Sequence, residues 1–279
     1  MKKIFCFAFL FAFLLTACSA AIPHAPTSVL ETQSPVASST AKPEPRILTV
    51  FAAASLTDAF EEIGRAFEAS HPGVTATFNF AGSQALRTQI EQGALVDVFA
   101  SANNKEMDAL VTGGFVASDA PQIFLSNQLI VILPANNPAG LEKIQDLTTP
   151  GIKLVLAAEE VPVGKYTRQA LEQMNSQFGS GFKDKVLANV VSNEDNVKQV
   201  VVKVQLGEAD AGIVYTSDAA AAPDTKTIEI PAELNVIAKY PIAALTNAPL
   251  PGLASEFIAS VLSPEGQAIL QKWGFGPIQ

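Results

Sequence analysis

Cysteine is nearly absent from this 279-residue chain: Cys6 and Cys18 are the only two, and both precede the globular part. A disulfide framework and a thiolate metal centre are thereby excluded from residue 47 onward. Histidine is as scarce. His24 falls in a proline- and serine-rich stretch and His71 stands before Pro72 in a turn, so a His/Cys metal site and a histidine-based catalytic triad both lack their parts. Basic residues are outnumbered, with 18 Lys and Arg against 27 Asp and Glu; without Lys2 and Lys3 the balance is 16 to 27, a net charge of −11. Such a chain is a poor partner for nucleic acid or anionic membrane surfaces, which are held by clustered Lys and Arg. A small anion is not excluded, because it responds to local dipoles. No apolar run reaches the ~20 residues of a spanning helix, and no internal repeat is visible.

The N-terminus carries the first positive signal. Met1–Lys3 is a short basic region and Ile4 to Leu15 an almost unbroken apolar run, the length of a signal-peptide core. It ends in Leu15–Thr16–Ala17–Cys18, which resembles a bacterial lipobox. That resemblance implies a signal peptide over residues 1–17, cleavage before Cys18, diacylation of its sulfur, and anchorage at the outer face of a membrane. Of the 28 residues from Ser19 to Arg46, 18 are Pro, Ser, Thr or Ala. This composition cannot bury enough surface to offset its ordering entropy, so residues 18–46 are expected to be a lipidated cysteine and a disordered tether.

From Ile47 the texture is globular, with about 233 residues, enough for one large domain or two lobes. Ile47 to Ala53 reads as a strand. Leu56, Ala59, Phe60, Ile63 and Phe67 recur at helical spacing, and His71–Pro72–Gly73 ends that helix. Val74 to Phe80 is the next strand, Gln84 to Gln92 a helix, and Val96 to Ala100 a third strand. This β-α-β-α-β order predicts a mostly parallel sheet covered on both faces. The alternation restarts after a strand at Gln128 to Pro134: Ile152 to Ala157 strand, Tyr166 to Phe178 helix, Ala211 to Tyr215 strand. Asn196 to Leu206 fits either period; a helix is favoured, with Asn193 as N-cap and Gly207 as C-terminal cap. After Leu234 an apolar strand runs through Ala244, and two helices close the chain. The last has Ser263 as N-cap, Pro264 at its first position and Gly274 after its final turn.

Three loops share one design: each follows a strand, ends in small or hydroxyl residues, and opens a helix. They are Ala52–Ala53–Ala54–Ser55, with Asp58 in capping-box position, Ala81–Gly82–Ser83, and Pro162–Val163–Gly164. In a doubly wound sheet such loops gather beyond the carboxyl ends of the strands. Helix N-termini expose unpaired N–H groups and carry roughly half a positive charge, so several converging ones make an anion site without Lys or Arg. Ser55 and Ser83 also admit the plainer role of N-caps. Other signals fail. Pro162–Val163–Gly164–Lys165 has the outline of a P-loop, but Glu159 stands where a Walker motif needs Gly. Ser180–Gly181–Phe182–Lys183 fits S-x-x-K without a partner motif. Glu61–Glu62 and Glu159–Glu160 read as solvated charge, and Tyr166 with Tyr215 lacks the histidine of a ferric site.

Five motifs in one order carry a specific resemblance. Thr49–Val50–Phe51–Ala52–Ala53–Ala54–Ser55–Leu56–Thr57–Asp58–Ala59–Phe60, Phe80–Ala81–Gly82–Ser83, and Asp97–Val98–Phe99–Ala100–Ser101–Ala102 are followed by Val161–Pro162–Val163–Gly164–Lys165–Tyr166 and Gly212–Ile213–Val214–Tyr215–Thr216–Ser217–Asp218–Ala219. With the C-terminal Leu262–Ser263–Pro264–Glu265–Gly266–Gln267 and Trp273–Gly274–Phe275, this sequence resembles the periplasmic molybdate-binding protein family over Ile47 to Gln279.

The resemblance implies an α/β, two-lobed periplasmic-binding-protein-like fold of type II. Each lobe is a mostly parallel sheet flanked by helices, and two crossing strands near Gln128 and Ala238 join them. Lobe 1 would be residues 47–127 plus 238–279, lobe 2 residues 128–237. It also implies an oxyanion held by neutral donors alone: the hydroxyls and N–H groups of Ser55 and Ser83, the N–H groups of Val163 and Val197, and the Tyr215 phenol. The metal atom has no direct protein ligand and there is no cofactor. Many members have Ala where this chain has Val163; a backbone donor survives that change. The implied partners are a small oxyanion, an ABC transporter permease, and the membrane through the lipid anchor, for a monomer that is not an enzyme. A fully deprotonated tetrahedral dianion only accepts hydrogen bonds, whereas hydrogen phosphate rewards an acidic acceptor. None of the five positions is acidic, which favours molybdate, tungstate or sulfate. Asp58 and Asp195 lie near enough in sequence to leave that choice open.

Overall fold

The computed structural model describes residues 46–278. The expectations for the signal peptide, Cys18, the tether and His24 lie outside those residues. Among them are β1 (Arg46–Ala53), α1 (Thr57–Ser70), β2 (Val74–Ala81), α2 (Ser83–Glu91), β3 (Val98–Ala100), α3 (Asn104–Thr112), β4 (Gln122–Asn127) and β5 (Leu129–Leu133). There follow β6 (Leu154–Ala157), α4 (Pro162–Phe178), α5 (Phe182–Leu187), β7 (Val190–Glu194), α6 (Val197–Gln205), β8 (Ala211–Tyr215) and α7 (Thr216–Ala220). The chain closes with β9 (Lys226–Glu229), β10 (Ala238–Ala244), α8 (Pro251–Leu262) and α9 (Pro264–Lys272).

Two five-stranded sheets result, ordered β2-β1-β3-β10-β4 and β7-β6-β8-β5-β9. In the first, β1 is parallel to β2 and β3, while β10 is antiparallel to β3 and β4. In the second, β6 is parallel to β7 and β8, while β5 is antiparallel to β8 and β9. Each sheet is therefore mixed: four strands point one way and one opposes them. The opposing strands are the two by which the chain changes sheet, β5 after Gln128 and β10 after residues 230–237. Each begins where its neighbours end, with Leu129 beside Tyr215 and Ala238 beside Asn127. A strand arriving from the other sheet enters at the facing end and must run outward. The carboxyl ends of the other strands consequently gather where the two sheets meet.

Burial explains the elements. β6 and β8 are buried at every position, as strands covered on both faces must be. On one face of the first sheet, Phe60, Phe67, Phe124 and Phe257 meet with centroids 5.4–5.9 Å apart. On the other, Leu86 and Ile90 of α2 and Met107 and Leu110 of α3 cover Phe51 and Phe99. Each such side chain contributes about 1.5–3 kcal/mol on burial.

Four local readings change, the first being that the strand expected after Leu234 begins only at Ala238, behind a 3-10 turn over Ala232–Leu234. The helix after β7 is present, but its N-cap is Asn196, whose side chain accepts from the Gln199 N–H at 3.2 Å; Asn193 lies in β7. Helix α4 begins four residues before Tyr166, because Pro162 fits a first turn that needs no N–H. Glu62 is more than solvated charge: it accepts from Lys272 Nζ and the Trp273 indole, each at 2.8 Å, tying α1 to the C-terminal helix. Ser263 caps α9 as expected, accepting from the Gly266 N–H at 3.1 Å.

Candidate functional site

Ser55, Ser83, Val163, Val197 and Tyr215 come together between the two sheets. All five are buried and all line one small cavity. Ser55 lies in the 3-10 turn Ala54–Leu56 that opens α1, and Ser83 is the first residue of α2. Val163 is the second residue of α4, Val197 the first of α6, and Tyr215 the residue before α7. N–H groups in these first turns have no partner within their helices and point along the positive end of each dipole.

Neither serine is spent on capping. The N-cap positions belong to Ala53 and Gly82, which carry no capping group, and the serine hydroxyls are engaged elsewhere. Ser55 Oγ lies 3.0 Å from the Tyr240 phenol, and Ser83 Oγ accepts from the Ala102 N–H at 3.0 Å. The capping-box pairing of Ser55 with Asp58 is absent; Asp58 instead accepts from Lys198 Nζ at 2.6 Å.

The cavity measures about 10 Å³, roughly the room of one water. Its thirteen lining residues are Ala, Gly, Ser, Val, Pro, Asn and Tyr, with no charged side chain among them. Asp58 and Asp195 do not line it. The Asp195 carbonyl does approach Gly82 from the opposite wall: a Cβ on Gly82 would lie 2.6 Å from that oxygen. Gly164 is under the same constraint, since its Cβ would fall 1.9 Å from the Ala158 carbonyl. The first turn of α4 thus packs directly against the backbone of the preceding loop.

Tyr215 is the sharpest feature. Its phenol is fully buried and its oxygen has no hydrogen-bond partner, a situation that costs about 1–3 kcal/mol unless a guest supplies one. Burial pushes its pKa, and that of Tyr240, well above the usual phenol value, so both stay neutral and keep a proton to donate.

Sequence reasoning missed four residues around the cavity. Asp218, at the third position of α7, accepts from the Tyr215 N–H at 3.2 Å and is fully buried. Burial raises its pKa to about 7, against the opposing pull of Lys198 at 3.9 Å. Lys198 bridges the walls, reaching Asp58 of α1 and Asp218 of α7. Tyr240 and Asn127 sit on the crossing segments, where Asn127 Nδ2 reaches Ser217 Oγ at 2.8 Å and the Tyr240 oxygen at 3.4 Å. The strand-end serine motif around Ser217–Asp218 was a usable signal for Asp218; Tyr240 and Asn127 had none. Among the described residues no group of three or more His, Cys, Asp and Glu side chains is placed to hold a metal ion.

Two α/β lobes with a small cavity free of charged side chains between them have the build of a solute-binding protein, and known proteins agree. A family model of bacterial extracellular solute-binding proteins matches residues 48–276, and the chain belongs to that family. The molybdate-binding protein ModA of Mycobacterium tuberculosis is 40% identical over 231 residues, 82% of this chain and 84% of that one. The substrate-binding domain of a putative molybdenum ABC transporter from Clostridium difficile is 31% identical, with a TM-score of 0.63 over 84% of this chain and 99% of that one. The sulfate-binding protein SubI of M. tuberculosis superposes with a TM-score of 0.76 at 19% identity, over 84% and 88% of the two chains, and so shares the fold. The fold is that of type II periplasmic binding proteins.

Proposed function

We propose that this chain captures molybdate, or its close analogue tungstate, in the cavity between its lobes and delivers it to the permease of an ABC transporter. The single observation that carries the reading is a small, uncharged, donor-lined space in which the buried Tyr215 phenol lacks an acceptor. A fully deprotonated tetrahedral dianion supplies acceptors only, and it fits such a lining without leaving a donor unmatched. Relatives named for molybdate binding at 40% identity support that choice of anion. The donors we assign are Ser55, Ser83, the N–H groups of Val163 and Val197, and Tyr215.

Binding would proceed by lobe closure. The Lys198–Asp58 ion pair and the Gln84 amide, which donates to the Asp195 carbonyl at 3.2 Å, span the gap and would part to admit the ion. Closure removes water, which strengthens each donor–anion contact. No step is catalytic. His71, the one histidine among the described residues, stacks on Phe67 at 3.9 Å and pairs with Glu256, away from the cavity. We place the mature protein outside the cytoplasm, as a monomer held to a membrane through lipid on Cys18.

Calorimetric titration of the purified protein with molybdate, tungstate, sulfate and hydrogen phosphate tests the reading. Molybdate and tungstate are expected to bind most tightly and to raise the melting temperature. Tight sulfate binding with silent molybdate would reassign the ligand. No response to any of the four would overturn oxyanion capture.

A further inference from the structure

The two serines of the cavity differ from free hydroxyls in a way that bears on which anions they accept. A hydroxyl can donate or accept, so by itself it does not discriminate between a fully deprotonated anion and one carrying a proton. Here each serine oxygen has a neighbour that fixes its role. For Ser83 the neighbour is the Ala102 N–H at 3.0 Å, which can only donate. For Ser55 it is the Tyr240 phenol at 3.0 Å, whose direction follows from the next residue out.

That residue is Asn127, the last of β4. Its Oδ1 accepts from the Gln128 N–H at 3.0 Å and from the Thr216 hydroxyl at 2.8 Å. A backbone N–H cannot accept, so the amide orientation is fixed and Nδ2 faces inward. Its two hydrogens go to Ser217 Oγ and to the Tyr240 oxygen. The Tyr240 proton then has one bonded acceptor, Ser55 Oγ. A reversed arrangement would turn that proton toward the neighbouring Tyr215 phenol, whose oxygen stands outside hydrogen-bonding geometry, and would give up the one acceptor in place. With its oxygen already receiving a proton, Ser55 turns its own hydrogen to the cavity.

The geometry points to Asn127 and Tyr240 as positioning residues that lock Ser55 as a donor and so exclude protonated oxyanions. This rests on the oxyanion reading above. Both residues lie where the chain crosses between lobes, β4 running into Gln128 and β10 carrying Tyr240. The crossing segments therefore set the polarity of the binding site as well as joining its halves.

The test uses the full-length protein at mildly alkaline pH, where molybdate and hydrogen phosphate both carry two charges and differ in the proton. Calorimetric affinities for the two ions give a selectivity ratio. Tyr240→Phe keeps the ring that packs on Phe124 and Phe275 and deletes the donor; the ratio is expected to shrink about ten-fold or more. Asn127→Asp keeps the acceptor for Gln128 N–H but turns the Tyr240 proton away from Ser55. It is expected to shrink the ratio in the same direction, its added charge acting alike on both dianions. Ser217→Ala removes the other acceptor of Asn127 and should leave the ratio where it is. An unchanged ratio in Tyr240→Phe, or in Asn127→Asp should the first variant not fold, overturns the relay while oxyanion capture stands. Wild-type protein that binds neither ion overturns both.

Discussion

The two walls of the cavity answer the same demand with different groups. The first lobe offers side-chain hydroxyls, Ser55 and Ser83, each held by a neighbour that sets its direction. The second offers the N–H groups that open α4 and α6, with one phenol, Tyr215, whose oxygen has no hydrogen-bond partner. A backbone N–H is a donor by construction and needs no guidance; a hydroxyl becomes one only through its surroundings. The first wall is therefore sensitive to chemistry several residues away, and the second mainly to shape.

The largest effect expected from attacking both walls together is in Ser83→Ala with Tyr215→Phe. Hydrogen bonds to a charged partner are worth about 1.5–3 kcal/mol each, so titration should show a loss of 10²-fold or more in affinity, with the cooperative melt retained. Gly82→Ala comes next. Its methyl would meet the Asp195 carbonyl of the opposite lobe, so affinity should fall by more than about ten-fold while the ligand-free melting temperature holds.

Asp218 gives the pH arm. Its folded pKa of about 7 lies above the ordinary carboxyl value of 3.8. The native state thus holds the proton more tightly than the unfolded chain between these limits. The groups facing it are Lys198, Asp58 and Tyr215. Its contribution to stability is full at low pH and declines as pH rises through about 7. Denaturant melts of wild type and Asp218→Asn across that window should diverge by at most about 1.4 kcal/mol per pH unit. Lys198→Gln removes an ion pair whose members are about one-third exposed. It should weaken binding by less than ten-fold, an effect that shrinks with added salt. Val163→Ala should matter least, because the N–H remains and the cavity only widens. Equal losses on the two walls from Val163→Ala and Ser83→Ala would erase the contrast between them.

Much of this was legible in the sequence. Strand–loop–helix alternation located the β1, β2 and β6 loops, and the five positions that the family resemblance singles out line one cavity. The serines were harder to read, since a Ser before a helix signals a cap and only the fold reveals Tyr240 and Ala102 beside them. The reversed strand in each sheet was hidden for a related reason: periodicity gives an element's type, and direction is set by the sheet it enters. Asn127, Tyr240 and Lys198 act over separations of 90 to 185 residues or across the cleft, and no local pattern marks such partners.

The most direct test of the central claim is anomalous diffraction at the molybdenum absorption edge from crystals of the protein grown with molybdate. One strong peak is expected between Ser55, Ser83 and Tyr215, with only hydroxyl and N–H donors within hydrogen-bonding distance of its oxygens. A peak elsewhere on the chain, or a carboxylate or ammonium group in contact with the ion, would contradict it.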